Sequence, residues 1–361
     1  MTDLLSPLTF TSGSTMKNRF MLAPLTNCQS HADGTLSDDE YNWLTKRAEG
    51  GFGLTMTCAS HVQAIGQGFP GQLGIWDNRH IAGLTRLAQG IKAHDSVALV
   101  QLHHAGMRSS LVKELLDGTP VCPSDNERSG ARGLSLLETQ QLVEDFVRAA
   151  ERAEQAGFDG VELHGAHGYI LCQYFSASIN KRDDAYGGDT EGRYRILFDI
   201  IEGVRARCRK DFILGVRLSP ERFGMQLGEV LGVAEKLLND DRVDFLDMSL
   251  WDCFKEPEED DFKGKSLLDH FGVLTRGHTK LGAAGALETP ADAEKVVAAG
   301  YDYAMLGRAG MWNHDFPKRY EADRAFAPAS LPASRAYLNA EGISDTFVDY
   351  IKSNWPQYVA E

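Results

Sequence analysis

Two histidines, His164 and His167, stand three residues apart just past an apolar segment, and their imidazoles are the first candidates for chemistry. This spacing fits a structural pair, a pair of hydrogen-bond donors to a substrate, or half of a metal site. Only His103 and His104 come near to completing a metal site, and carboxylate ligands are missing at the comparable positions. We therefore predict no metal, while the structural and substrate-binding interpretations stay open.

Glycines and arginines follow three later apolar segments. Gly285 and the dipeptide Gly307-Arg308 could hold a phosphate, because glycine amides approach phosphate oxygens closely and arginine adds charge-assisted hydrogen bonds. Arg217 ends another apolar segment, where a guanidinium needs an anionic partner or several hydrogen bonds. Gly285, Gly307 and Arg308 therefore indicate a phosphate site, and Arg217 indicates a nearby anionic group.

The elements that must position these residues alternate between short apolar strands and amphipathic helices. A helix at Ser37–Gly50, for example, opens with a predicted capping box in which the side chains of Ser37 and Glu40 satisfy amides of the first turn. The predicted strands are Phe20–Pro24, Leu54–Cys58, Val97–Leu102, Gly160–Leu163, Ile213–Leu218, Phe245–Ser249, Lys280–Ala284 and Tyr303–Leu306. The pattern predicts an α/β fold, a single (β/α)8 TIM barrel. An open doubly wound sheet is the alternative, but no Gly-x-Gly-x-x-Gly follows the first strand. In a barrel the candidate residues fall at the C-terminal strand ends, where active sites lie.

Three segments exceed a minimal β/α unit. Extended loops are expected after strand 3, at His103–Glu138, and after strand 6, at Leu250–His270. The second loop carries three aromatic candidates for lining a pocket, which are Trp251, Phe254 and Phe271. We predict a barrel over residues 1–326 and a C-terminal tail over residues 327–361 that packs on the barrel or on a neighbouring subunit. Arg335 and Tyr337 are the tail residues expected to reach a neighbour's site.

Composition and charge argue against several classes of function. The chain has 361 residues and a formal net charge of −14 without a basic stretch, which argues against nucleic acid and anionic membranes as partners. Its six cysteines form no Cys-x-x-Cys pair, so a structural zinc site, an iron–sulfur cluster and a disulfide framework are not expected. No signal peptide or spanning segment is recognisable, and the expected location is the cytoplasm.

Several motifs resemble one known family. The segment Gly160–Gln173, GVELHGAHGYILCQ, is followed by Asn180–Gly188, NKRDDAYGG, and together they look like the signature of the old yellow enzyme family of ene-reductases. Strands 1, 3 and 8 carry matching segments at Asn18–Thr26, Gln101–Gly106 and Leu306–Arg308. The resemblance extends from about residue 8 to residue 312, which covers most of the chain.

This resemblance implies FMN, held without a covalent link across the mouth of the barrel. Thr26 would donate a hydrogen bond to flavin O4, and Arg217 would lie near N1 and O2, where it stabilises the negative charge of reduced flavin. The remaining implied contacts to the flavin ring are Ala23, Pro24, Leu25, Ala59 and Gln101. The residues implied to hold the phosphate are Ala284, Gly285, Gly307 and Arg308.

The resemblance also implies a reaction, the reduction of electron-poor C=C bonds by NADH or NADPH. His164 and His167 would bind a carbonyl or nitro oxygen, flavin N5 would pass hydride to Cβ, and Tyr169 would protonate Cα. Because NAD(P)H and the enone-type substrate would share one site, ping-pong kinetics are expected. A homo-oligomer is compatible with this assignment.

Some alternatives stay open. One subclass of the family carries a cysteine at the position of Thr26, whereas Thr is typical of another subclass whose histidine pair is often His/Asn. This chain combines Thr26 with His164 and His167, so the subclass is not assigned. Other functions for the same barrel are a flavin dehydrogenase of another substrate class, a non-catalytic flavin-binding protein, and a flavin-free isomerase or hydrolase. A colourless purified protein would indicate the last of these.

Overall fold

A closed barrel of eight parallel strands organises the chain in the computed structural model, which describes residues 3–109 and 118–360. The strands in chain order are β1 Phe20–Leu22, β2 Leu54–His61, β3 Val97–His103, β4 Gly160–Gly165, β5 Ile213–Leu218, β6 Phe245–Trp251, β7 Lys280–Gly285 and β8 Tyr303–Leu306. Each strand pairs with the next one along the chain, and β8 pairs with β1 to close the ring. The predicted TIM barrel is confirmed.

Helices cover the outside of the barrel. Their bounds are α1 Asp38–Glu49, α2 Ile81–Lys92, α3 Leu136–Gln155, α4 Ile170–Phe175, α5 Thr190–Arg207, α6 Leu227–Leu238, α7 Leu267–Gly272, α8 Pro290–Ala298, α9 Arg308–Trp312, α10 Phe316–Ala322, α11 Arg335–Ala340 and α12 Asp345–Asn354. Their apolar faces pack on the strands, as the buried Phe146, Ala150 and Ala153 of α3 illustrate. Within the described residues, no helix combines the length and apolarity needed to cross a membrane.

The start of α1 corrects one detail of the sequence analysis. The Ser37 side chain accepts a hydrogen bond from the Glu40 amide, as predicted. The Glu40 carboxylate does not complete the capping box, because it turns into the protein and accepts hydrogen bonds from Asn27 and Ser30. Burial raises the pKa of this carboxyl. Glu40 therefore anchors the segment that follows β1, close to the mouth of the barrel.

The two ends of the barrel differ. A short hairpin of Leu8–Thr9 with Thr15–Met16 closes the N-terminal end, where Phe10 packs at 5.8 Å on Phe245 inside the barrel. At the opposite end the ladders are irregular, with register shifts between Met56 and Ala59 on β2 and between Ser249 and Trp251 on β6. Such bulges redirect side chains at barrel rims. This C-terminal end is the open mouth.

The long loops and the tail frame the mouth. Part of the loop after β3, residues 110–117, lies outside the described residues, and the rest includes the paired strands Val121–Cys122 and Arg132–Gly133. The tail lies against its own barrel, since Phe347 of α12 packs edge-on against Trp43 of α1 at 5.0 Å. Arg335 pairs with Asp345 within the tail. The division at residue 326 and any contact with a neighbouring subunit stay predictions.

Candidate active site

The C-terminal strand ends place every residue predicted for the site around the mouth. By position these residues are Ala23, Pro24, Leu25 and Thr26 after β1, Ala59 in β2, Gln101 in β3, His164 in β4, His167 and Tyr169 after β4, Arg217 in β5, Ala284 and Gly285 in β7, and Gly307 and Arg308 after β8. Their side chains come from seven strands that are distant in sequence. Only the closed ring brings them to one place.

His164 and His167 form the start of a hydrogen-bonded chain. Nε2 of His164 lies 3.0 Å from Nδ1 of His167, and Nε2 of His167 lies 2.7 Å from Oγ of Ser249. His167 has a positive φ of 60°, and its amide donates to Ser219. Burial and the nearby Arg217 guanidinium lower the pKa of His167 to about 3, and burial together with His167 lowers that of His164 well below its usual value. Both imidazoles are therefore neutral near pH 7.

Tyr169 stands beside this pair at the start of α4. Its ring contacts that of His164, with centroids 5.1 Å apart, and it meets His103 edge-on at 4.4 Å. The Arg108 guanidinium covers the same ring at 4.6 Å from its centroid. Three neighbouring side chains thus fix the orientation of the tyrosine, whose own side chain is half-buried at the mouth.

A buried polar network lies deeper in the barrel. Nε of Arg217 is 2.9 Å from a carboxylate oxygen of Asp247, and Nη2 is 3.3 Å from Ser249 Oγ. Nε2 of Gln101 donates to Glu162 at 2.7 Å. Burial and, to a smaller extent, the neighbouring Asp247 raise the pKa of Glu162 to about 8, although Arg217 opposes this shift. Burial raises the pKa of Asp247 to about 6, again against the effect of Arg217. Arg217 balances this acidic pair.

The network leaves two groups for a ligand at the mouth. Nη1 of Arg217 makes no hydrogen bond with any residue that the structure describes, and the same is true of the carbonyl oxygen of Gln101. An acceptor and a cationic donor on β3 and β5, the strands on either side of β4, match the N–H and carbonyl groups of the flavin pyrimidine ring. The donor set therefore fits FMN.

The opposite rim fits the phosphate. A Cβ at Gly307 would have Leu25 at 3.7 Å and Ala23 at 4.0 Å as its nearest neighbours, so there is room beside this backbone. Arg308 donates to Glu288 through Nε at 2.9 Å and through Nη2 at 2.6 Å. Its Nη1 is unpaired within the described ranges and is available to an anion. The backbone of Gly307 and the Arg308 side chain are therefore open to an anion, and the phosphate site stays a prediction.

Tyr350 of α12 also reaches the site, which the sequence does not predict. It interacts with the Thr26 side chain, and burial, followed by Cys28 and Tyr169, raises the pKa of Tyr350 to about 12. The tail thus reaches the mouth through this residue, whereas Tyr337 donates to the Trp312 carbonyl at 2.7 Å. Nothing in the local sequence around Tyr350 signals a contact with a strand more than 300 residues earlier.

One more correction concerns the aromatic residues predicted to line the pocket. Phe271 is buried in the core and does not line the mouth, whereas Trp251 is 50% exposed with its ring 6.2 Å from that of His167. Burial and Glu40 raise the pKa of the Cys28 thiol to about 12, so this thiol, which lies near Thr26, stays protonated at neutral pH. Among the residues described, no group of three or more side chains could hold a metal ion.

Comparison with known proteins identifies the family. The NADH:flavin oxidoreductase / NADH oxidase family matches residues 3–326 of the chain. The chain belongs to this family, which includes old yellow enzyme. It is a flavin oxidoreductase that uses FMN and NAD(P)H.

Two curated relatives and one solved structure illustrate the family. The chain is 34% identical over 314 residues to a probable NADH-dependent flavin oxidoreductase, YqiG, of Bacillus subtilis, covering 84% of each protein. It is 32% identical over 322 residues to an NADPH dehydrogenase of Bacillus pumilus, covering 88% of this chain and 94% of that one. The old yellow enzyme homologue of Zymomonas mobilis superimposes with a TM-score of 0.80 at 26% identity, covering 95% and 99%.

Proposed function

We propose that this family member reduces electron-poor C=C bonds in α,β-unsaturated carbonyl or nitro compounds. The observation that carries the proposal is the pair of neutral imidazoles, His164 and His167, beside the Tyr169 phenol at the mouth. Bound FMN supplies the hydride, and NADH or NADPH replenishes it. The protein must then hold the substrate oxygen, polarise the double bond and deliver one proton.

His164 and His167 hold the oxygen. In the free protein Nε2 of His164 faces Nδ1 of His167 at 3.0 Å, so a substrate oxygen placed between the two nitrogens can accept a hydrogen bond from either imidazole. Neutral imidazole is a good donor to a carbonyl or nitro oxygen, and the low pKa values keep both rings neutral across the physiological range. Stronger hydrogen bonds to the developing negative charge lower the barrier to hydride addition at Cβ.

Tyr169 delivers the proton. A phenol keeps its proton at neutral pH and can act as a general acid toward a carbanion-like Cα. The ring contacts with His103 and His164 and the Arg108 guanidinium above hold it in one orientation. With the substrate oxygen on the histidines, the phenol is placed on the same side of the mouth as the reacting double bond.

The flavin contacts follow from the positions around the mouth. Thr26 would donate to the pyrimidine carbonyl with Tyr350 behind it, the Gln101 carbonyl would accept from the ring N–H, and Arg217 would face the edge where charge accumulates. Backbone groups of the β1 and β2 ends would contact the ring, namely those of Ala23, Pro24, Leu25 and Ala59. The phosphate would be held by Ala284, Gly285, Gly307 and Arg308.

One mouth must serve both NAD(P)H and the substrate, so the proposal includes a ping-pong sequence. The test is a titration of the oxidised holoenzyme with para-chlorophenol, followed in the visible spectrum. A phenolate held by His164 and His167 stacks on the flavin and gives a broad long-wavelength charge-transfer band. The matched control is His164→Gln with normal flavin content, in which the band should weaken. A wild-type spectrum that stays unchanged at millimolar phenol contradicts the proposed pocket.

A further inference from the structure

A third buried imidazole, His103 at the end of β3, extends the histidine chain behind the proposed substrate site. Its Nδ1 lies 3.0 Å from Nδ1 of His164, and its ring is 1% exposed. The run of contacts is therefore His103 to His164, His164 to His167, and His167 to Ser249. Both nitrogens of His164 are occupied in this arrangement, one by each neighbouring histidine.

The protonation of the chain limits how these contacts can form. Burial and nearby histidines hold the pKa of His103 and of His164 well below the usual value, and that of His167 is about 3. Each neutral ring carries one N–H, so each nitrogen-to-nitrogen contact needs one donor and one acceptor. The protons can then run in one direction along the chain or in the other.

Only one direction makes His164 the donor to a substrate oxygen. If His103 donates from Nδ1, His164 accepts at Nδ1 and carries its own proton on Nε2, which faces His167 and the proposed substrate oxygen. If His164 donates to His103, its Nε2 is a bare acceptor, and the proton of the contact with His167 lies on Nδ1 of His167 instead. The hydrogen bond on the second ring nitrogen thus sets which tautomer meets the ligand.

The surroundings of His103 favour the first direction. Its Nε2 is buried and has no hydrogen-bond partner among the described residues. With the proton on Nδ1, this orphan nitrogen is an unused acceptor, whereas in the other tautomer it would be a buried N–H without a partner. Orphaned buried N–H groups are the rarer and costlier of the two. The packing against the Tyr169 ring at 4.4 Å keeps Nδ1 aimed at His164.

We propose that His103 is a positioning residue, which donates from Nδ1 to His164 and thereby fixes His164 as the Nε2–H tautomer that binds the substrate oxygen. This inference rests on the proposed function of His164. His103 does not touch the reacting atoms. Its hydrogen bond to Nδ1 of His164 keeps the proton of His164 on Nε2, so that His164 is a donor to the substrate.

Two variants separate this role from packing. His103→Asn places an amide N–H close to the position of Nδ1 and keeps a donor to His164. His103→Leu fills a similar volume without any donor. Both variants should retain FMN, which can be checked from the bound flavin per chain. Loss of a hydrogen bond to an anionic ligand should weaken para-chlorophenol binding about tenfold or more in the leucine variant, and asparagine should restore most of it.

The direct readout is the tautomer, measured by ¹⁵N NMR on histidine-labelled holoenzyme. His104 is an internal reference, since its Nδ1 accepts from the Gly106 amide at 2.9 Å and its proton must therefore be on Nε2. We expect His164 as Nε2–H in the wild type and in His103→Asn, and a mixture in His103→Leu. A wild-type His164 protonated on Nδ1, or a leucine variant with unchanged tautomer and phenol affinity, overturns the proposal. If the wild type binds no phenol, the proposed function fails instead, and the tautomer still decides the role of His103.

Discussion

Gly285, the last residue of β7, offers the sharpest test of the proposed phosphate site. Its φ is +147°, a backbone conformation that residues with a side chain rarely adopt. A Cβ built there would lie 2.8 Å from the carbonyl carbon of Trp251, 2.9 Å from the nitrogen of Trp251 and 3.0 Å from that of Asp252. All three atoms are backbone, so no side-chain rotation can relieve the overlap in Gly285→Ala.

The size of the effect follows from the strain. Holding alanine at such a φ costs about 1–3 kcal/mol. The free protein can relieve this strain if the end of β7 moves away from Trp251. FMN requires the original position of the Gly285 backbone, so the strain returns on binding. At about 1.4 kcal/mol per factor of ten, the FMN affinity of Gly285→Ala should fall by about fivefold to 150-fold.

The assay is quenching of FMN fluorescence during titration with apoprotein, together with the flavin retained after gel filtration. Gly157→Ala is the matched control, because Gly157 also has a positive φ, +87°, but has no atom within 4 Å of its virtual Cβ and lies after α3, away from the mouth. This control should lose stability and keep its FMN affinity. If Gly285→Ala binds FMN as tightly as the control, the assignment of the phosphate site to β7 is refuted.

Three further outcomes follow from the site and its surroundings. Arg217→Met leaves Asp247 buried without its cation and should lower the free energy of unfolding in urea by about 3–5 kcal/mol. A loss below about 1 kcal/mol, which is typical of a surface ion pair, would contradict a stabilising buried pair. Tyr169→Phe should slow reoxidation of reduced enzyme by substrate about 10²- to 10⁴-fold in stopped flow, with reduction by NAD(P)H unchanged. Burial lowers the pKa of His61 from 6.5 to about 4. Between these two pH values the unfolded chain binds a proton at His61 that the folded chain does not, so the free energy of unfolding should decrease as the pH falls from 6.5 towards 4. Urea midpoints at pH 7 and 5 measure that loss, which His61→Gln should reduce.

The barrel could be predicted from the sequence because each β/α unit carries its own signals. A short apolar strand and an amphipathic helix recur eight times, several of the helices end in glycine, and the strand-end motif from His164 to Tyr169 indicates the site. The ends of the strands were predicted less accurately. β1 ends at Leu22, because Pro24 lacks the N–H needed to extend the ladder, and β2 continues to His61 through a bulge.

The parts that escaped prediction depend on contacts between distant segments. Glu162 and Asp247 are single charged residues inside apolar strands, and the sequence does not show that they share the barrel interior with Arg217. The partner of Thr26 is Tyr350, brought there by packing of the tail on α1. Glu40 has the spacing of a capping residue, but Asn27 and Ser30 offer its carboxylate better partners. Such side-chain choices are decided by tertiary structure.

The central claim is tested most directly by the oxidative half-reaction. Holoenzyme is reduced with one equivalent of NADH or NADPH under anaerobic conditions and mixed with cyclohexenone in a stopped-flow instrument. We expect the absorbance of oxidised flavin to return at a rate that saturates with cyclohexenone, and one cyclohexanone to form per flavin. Flavin that stays reduced until oxygen is admitted, with cyclohexenone recovered intact and the same result for a nitroalkene, would contradict the proposed reduction of C=C bonds.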